Sequence, residues 1–295
     1  MNKKTVAKNY VLNLIYQILT ILTPLISTPY VARVLGVENN GIYAYTISII
    51  TYFILFGSLG TNMYGQREIA YMQDEKKQQT KFFYEILLLK CCSYLIVALT
   101  FVLLFCLNGD YLLYYRILII ELLANLIDIS WFFQGNEDFD KTVIKNCIFK
   151  MIGLVLIFIL VKNENDLWKY FLIYTLSDFL GNLSMWFYLP KYLTKGKLKI
   201  NIKKHVVPII TLFLPQVAIQ IYSVLDKTMI GKMTGDMMAV SYYDQAQKII
   251  KALLLIVTAM SSVMCSRISN SYAKGDNASI KKYLAQSFNM VWLFA

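Results

Sequence analysis

Charge is scarce in this chain of 295 residues: only 16% are Asp, Glu, Lys or Arg, and 57% are hydrophobic. Soluble domains carry about 25% charged and 45–50% apolar residues, so a water-soluble core cannot absorb this composition. Histidine is nearly absent. The single His205 excludes a histidine-based metal centre and, beside a basic stretch, reads as an interfacial surface residue. The cysteines Cys91, Cys92, Cys106, Cys147 and Cys265 show no C-x-x-C spacing; they read as small apolar residues within apolar blocks. The chain also lacks G-x-x-x-x-G-K-[ST], H-E-x-x-H and G-x-S-x-G, the signatures of phosphate loops, zinc peptidases and hydrolase nucleophiles. No cofactor, metal or enzymatic chemistry is therefore expected.

What is present is long apolar runs, with a mean hydropathy of +0.51. A span of the hydrocarbon core needs about 20 residues. Inside lipid each backbone N–H and C=O must be satisfied within its own segment, so such runs should be helices. The sequence predicts helices over Asn9–Leu35, Gly41–Tyr64, Phe82–Leu107, Tyr111–Gln134, Val143–Val161 and Leu167–Leu189. After a basic connector, 190–204, two more are expected over Val206–Gly231 and Ala239–Cys265, and another begins near Tyr283. The expected fold is an all-α polytopic membrane bundle of about nine helices: a first lobe over 1–189 and an incomplete second lobe over 205–295. The chain stops inside the apolar block 288–295, which reads as a stretch of a longer protein. Met1–Lys4 is not read as a secretory signal, because the block behind it is long, contains Pro24 and Pro29, and has no small-x-small site.

Basic residues favour alternate loops. Lys3, Lys4 and Lys8 lie at the start, Arg67, Lys76, Lys77 and Lys81 after the second helix, and Lys141 and Lys145 after the fourth. Lys191 to Lys204 and Arg267 to Lys282 continue the series, whereas the intervening loops hold far fewer. Positive charge accumulates on the cytoplasmic side, so the N-terminus is expected in the cytoplasm. The net charge of +11 then suits anionic lipid headgroups, without any call for nucleic acid. Trp131, Trp168 and Trp186 near span ends read as an interfacial belt.

The first and seventh predicted helices each carry two prolines, Pro24 and Pro29 against Pro208 and Pro215, and each ends in an apolar–Gly pair. Gly41–Tyr43 follows one and Ser241–Tyr243 the other. Such a parallel repeat is a transporter plan. The stretch Pro24–Gly36, then Gly41–Tyr43, Leu59–Gly60 and Tyr64–Ala70 (YGQREIA), resembles the opening of bacterial polysaccharide-repeat-unit (O-antigen and capsule) flippases. These belong to the multidrug/oligosaccharidyl-lipid/polysaccharide exporter superfamily. Asp226–Gly231 with Ser241–Tyr243 resembles their seventh-to-eighth helix segment, with Ser241 where that family usually has glycine. The resemblance implies two six-helix lobes around a cavity, as in the multidrug exporters. It also implies flipping of undecaprenyl-pyrophosphate-linked oligosaccharide across a bacterial cytoplasmic membrane.

A charge at mid-bilayer costs at least about 2.5–3.5 kcal/mol, which makes each a candidate. Lys248 and Lys251 share a face of the eighth helix, with Asp244 four residues before Lys248. Two ammonium groups suit a pyrophosphate; the alternative is a structural Asp244–Lys248 pair. Glu121, Asn125 and Asp128 form one expected stripe, and Asp178 and Asn182 another. These could bind sugar hydroxyls, carry a coupling proton, or hold Lys90 and Lys150 in ion pairs. Arg33 and Asp226 lie near the outer ends of their helices and could close an outer gate. Arg67 could meet lipid phosphate or snorkel.

The resulting expectation is a flippase working by alternating access, driven by an ion gradient, the membrane potential or the substrate's own gradient. Its partners would be a lipid-linked oligosaccharide and anionic lipid. The rivals are a cation-coupled multidrug exporter, and a non-transporting subunit scaffolding a polysaccharide polymerase or glycosyltransferases.

Overall fold

Gly36 breaks the first apolar stretch. Its φ of 78° and ψ of 172° lie outside helical space, a conformation that costs glycine little. In the computed structural model, residues 3–73, 75–194 and 200–251 are described, with 284, 285 and 288; the side chains of 3–22, 24–25 and 139–146 are not. The connector's middle, the later part of the eighth predicted helix with Cys265, and the ninth lie outside those residues.

Helix α1 runs Lys3–Ser58 on either side of the Gly36 break. It is followed by α2 (Thr61–Tyr71), α3 (Lys76–Phe101), α4 (Leu112–Leu126), α5 (Ser130–Gly135), α6 (Phe139–Leu160), α7 (Leu167–Trp186) and α8 (Lys203–Thr234). Residues 237–251 are helical as well, and no strand occurs among the described residues. The chain up to Ser241 forms one compact unit; Tyr242 begins another. Three helical stretches, Ile26–Tyr71, Lys76–Cys106 and Lys203–Thr234, are long and apolar enough to cross a membrane, and Cys147–Leu160 is a shorter apolar helix. This is an all-α, multi-pass membrane protein.

Three sequence expectations need adjustment. The six-residue turn expected at 36–41 is a one-residue break, because the Asn40 side chain donates back to the Gly36 carbonyl at 2.6 Å and keeps the chain coiled. The second expected helix ends early, where Leu59 and Gly60 take φ of 48° and 78°. The fourth is split at residues 127–129: the Asp128 carboxylate accepts the Ser130 N–H at 2.8 Å and starts α5 instead of continuing α4. Pro208 and Pro215, by contrast, sit inside an uninterrupted α8.

The elements alternate between two ends. Gln79 donates to Asn136 at 2.9 Å, bringing the α2–α3 and α5–α6 turns together. At the other end Asn39 donates to the Glu164 carbonyl at 2.9 Å, joining the α1 break to the α6–α7 turn. The first end carries Arg67, Lys76, Lys81, Lys191, Lys203 and Lys204 and is termed the basic end below. One apolar cluster, including Leu35, Ile50, Phe101, Leu118, Val161 and Phe171, fills the body of the bundle. A second, around Phe82, Phe83, Trp131, Phe132 and Phe133, fills its basic end. Trp131 is buried there at 1% exposure, so it is core and not part of an interfacial belt. Cys91 and Cys92 are exposed on α3 rather than buried.

The α6–α7 turn is held by Asp166. Its carboxylate pairs with Lys169 at 2.6 Å and accepts the N–H groups of Lys162 and Asn163 at 2.9 and 3.2 Å. The Lys169 ammonium foremost, then these amides, hold the carboxyl below the ordinary aspartate range. A depressed carboxyl stabilises the fold above its unfolded-state value of about 4, and that contribution vanishes as pH falls through the lowered folded value. Asp166→Asn is therefore expected to melt below the parent at pH 7, with the gap closing under strong acid. A constant gap from pH 7 to pH 2.5 in a detergent melting series would show that the charge is irrelevant.

Candidate functional site

The break between α4 and α5 gathers several polar groups. α4 stops because Asp128 turns inward to cap the next helix, so its last carbonyls need other donors. Lys90 on α3, 1% exposed, supplies one: its ammonium donates to the Asp128 carbonyl at 2.8 Å and lies 3.5 Å from Asn62 Oδ1 and 5.9 Å from the Tyr94 ring centroid. A cation at a helix C-terminus is favourable. Asn182 on α7 donates to the Ala124 carbonyl at 2.9 Å, and Trp186 to that of Ile127 at 2.8 Å. Asn182 and Asp128 are thus engaged in holding a broken helix. Lys90 caps that helix through a main-chain carbonyl.

One turn back on α4, Asn125 donates to Glu121 Oε1 at 3.0 Å. Asp128, lying in the break, does not continue the Glu121–Asn125 stripe. Glu121 is 7% exposed, and its second oxygen has no hydrogen-bond partner among the described residues. A buried, half-satisfied carboxylate is costly. The charged groups that act on it are Asp178 and Lys150. Both line a cavity of about 240 Å³ between α1, α6 and α7, together with Thr23, Tyr174 and Ser177. Gly153 lets α6 come close at this point, since a Cβ there would meet Ser177 Oγ at 2.4 Å. Tyr43, from the α1 half after the break, packs its ring 4.7 Å from Tyr170 and 6.0 Å from Tyr174. The arrangement is a partly open pocket lined by one carboxyl, an ammonium and hydroxyls, with the Glu121 carboxyl acting on Asp178 from beside it, and is suited chemically to a proton or small cation.

Asp244 and Lys248 form an ion pair at 2.8 Å on the helical segment 237–251, with Asp244 buried and Lys248 about one-third exposed. Lys251 is exposed one turn further on. Arg33 and Asp226 are both exposed. Arg67 pairs with neighbouring Glu68 at 3.0 Å and lies over the Tyr64 ring. Ser48 and Thr228 share a hydrogen bond of 2.8 Å that joins α1 to α8.

One polar group falls outside every sequence expectation. His205 is 3% exposed, not a surface residue. Its Nδ1 lies 2.9 Å from the Tyr64 hydroxyl and its Nε2 2.9 Å from the carboxylate of Glu85, which is fully buried. The signal available in sequence was Glu85, an acidic residue inside the apolar block of α3.

Residues 6–271 match the profile of a family described as polysaccharide biosynthesis protein. The chain belongs to that family. It is similar to the "Putative O-antigen transporter" of Escherichia coli (strain K12), at 27% identity over 56% of this chain and 41% of the relative. It is also similar to the Shigella dysenteriae protein of the same name, at 31% identity over 50% of this chain and 37% of the relative. The chain thus spans less than half the length of these curated relatives. No solved structure matches it.

Proposed function

We propose that this member of the polysaccharide biosynthesis family is the transporting part of a lipid-linked oligosaccharide flippase, acting by alternating access in a bacterial cytoplasmic membrane with its basic end inward. The observation that carries the reading is ionisable side chains retained inside apolar helices: Asp178 and Lys150 lining one cavity, Glu121 acting on both, and Lys248 and Lys251 on another helix. Scaffolding a polymerase or glycosyltransferase gives no reason to keep such costly groups. In this reading Lys248 and Lys251 receive the pyrophosphate, Asp244 orients Lys248, and the Glu121–Asp178 pocket carries the coupling proton or cation. Residues 1–189 and the stretch from 205 onward act as two lobes, with 190–204 as connector. Arg33 and Asp226 close the outer gate in this reading. The names of the relatives support the substrate class, and the family supports the pathway.

The test is reconstitution in liposomes, following exposure of a labelled prenyl-pyrophosphate oligosaccharide on the far leaflet with ethidium movement measured in parallel. Glycolipid flipping is expected, and it should fall about tenfold or more in Lys248→Ala/Lys251→Ala, since charge-assisted contacts contribute about 1.5–3 kcal/mol each. Ethidium movement without glycolipid flipping would instead identify a cation-coupled exporter. Undiminished flipping in the double variant would remove the pyrophosphate assignment alone.

A further inference from the structure

Between α6 and α7 lies a partly open groove of about 460 Å³. Ile152, Leu156 and Leu160 of α6 and Trp168, Leu172 and Leu176 of α7 line it, each set recurring every fourth residue and so on one face of its helix. Phe149 and Leu180 extend the two walls toward the basic end. Ile152, Leu160, Trp168, Leu176 and Leu180 are exposed, so the groove opens away from the core. Lys169, beside the α6–α7 turn, is the lining's charged residue.

Position and length point to what fills it. α6 starts at the basic end and finishes at the opposite one, so it crosses the same thickness as the apolar span Lys76–Cys106. At about 1.5 Å per residue the α6 wall from Phe149 to Leu160 rises about 16 Å, and the α7 wall from Trp168 to Leu180 about 18 Å. One leaflet of hydrocarbon is about 15 Å deep, half of a core of about 30 Å. The groove therefore matches one extended acyl chain in the leaflet opposite the basic end.

The turn at the mouth of the groove selects the headgroup. It carries Lys162, Glu164, Asp166 and Lys169, so positive and negative charges balance. Lys162 and Glu164 are exposed, and Lys169 lies 5.7 Å from the Trp168 ring centroid while pairing with Asp166 at 2.6 Å. A balanced surface complements a zwitterionic headgroup, phosphate toward the lysines and ammonium toward the carboxylates. A prenyl pyrophosphate, carrying negative charge alone, would meet repulsion from half of the turn.

We propose that the α6–α7 groove is a binding site for one acyl chain of a zwitterionic phospholipid of the phosphatidylethanolamine class, with its headgroup at the Lys162–Lys169 turn. Dispersion contacts from two helices hold the chain more firmly than a flat lipid-facing surface does. Ile173 and Ser177 also line the Asp178–Lys150 pocket, so the seated chain covers a wall of that pocket. The inference rests on the membrane-spanning fold and not on the transport reading.

Native mass spectrometry reads the site on the full chain, extracted in mild detergent from membranes holding both phosphatidylethanolamine and phosphatidylglycerol. A retained phosphatidylethanolamine is expected on the parent. Its occupancy should fall about tenfold or more in Ile152→Trp/Leu176→Trp, whose indoles fill the groove. Leu99→Trp/Leu103→Trp on α3, exposed positions outside the lining, should keep the parental occupancy. After delipidation, the parent should rebind phosphatidylethanolamine at a lower concentration than phosphatidylglycerol or a prenyl pyrophosphate. Absence of the adduct, equal loss in both double variants, or full retention in the groove variant overturns the proposal. Preferential rebinding of phosphatidylglycerol or of the prenyl pyrophosphate overturns it as well. That ranking is read on the parent, so it decides the proposal even where the groove variant folds poorly. Because no transport is measured, either result leaves the flipping assay to stand or fall by itself.

Discussion

Gly41→Ala is expected to lower the melting temperature in detergent by about 2–8 °C. Gly41 lies one turn past the Gly36 break, where α1 passes the segment that follows α8. A Cβ at this position would lie 1.7 Å from the Met237 carbonyl oxygen and 2.5 Å from its carbon. Both are backbone atoms, so no side chain can rotate aside and one segment must shift. Overpacking of this kind costs about 1–3 kcal/mol, sometimes more. Alanine would recover roughly 1 kcal/mol of helix propensity, so a net loss measures the contact itself. Gly153→Ala is the milder control: its Cβ meets side-chain atoms alone, Ser177 Oγ at 2.4 Å and Ser177 Cβ at 3.2 Å, and the hydroxyl can change rotamer. Equal melting of Gly41→Ala and the parent would mean that the segments do not approach as described.

Asp178→Asn and Glu121→Gln are each expected to cut reconstituted transport by about tenfold or more, the kinetic equivalent of about 1.4 kcal/mol, and to remove its dependence on the driving ion gradient. Both substitutions keep shape and hydrogen-bonding capacity while removing ionisation. The reason to expect a functional effect lies in the geometry: the second oxygen of Glu121 is buried without a partner among the described residues, and Asp178 lines the same pocket as Lys150. A structural carboxylate would be fully paired, as Asp166 and Glu85 are. If flipping and its gradient dependence both persist in the two variants at parental melting temperature, the pocket is packing and coupling resides elsewhere.

A large part of the fold was legible because lipid leaves few choices. Apolar runs in membrane must become helices, so an all-helical described region follows from hydropathy. The motif from Pro24 to Ala70 was likewise enough to anticipate the family. The breaks were less legible. Residues 127–129 read as helix because Asp128 sits within apolar neighbours; only the Asp128–Ser130 cap and the Lys90 and Trp186 contacts to the freed carbonyls end it there.

The site divides in the same way. Asp244 and Lys248, four residues apart on one helix, could be paired from spacing, since helical geometry is local. Glu85, Tyr64 and His205 are separated by 21 to 141 positions in the chain and meet only through the packing of α2, α3 and α8. Sequence by itself determined a multi-pass helical membrane protein of the polysaccharide biosynthesis family, because hydropathy and a contiguous motif are properties of neighbouring residues. Tertiary structure alone decided that His205 is buried, that Lys90 caps a broken helix, and that one Glu121 oxygen has no partner among the described residues. Each of those depends on which distant side chain occupies the adjoining space.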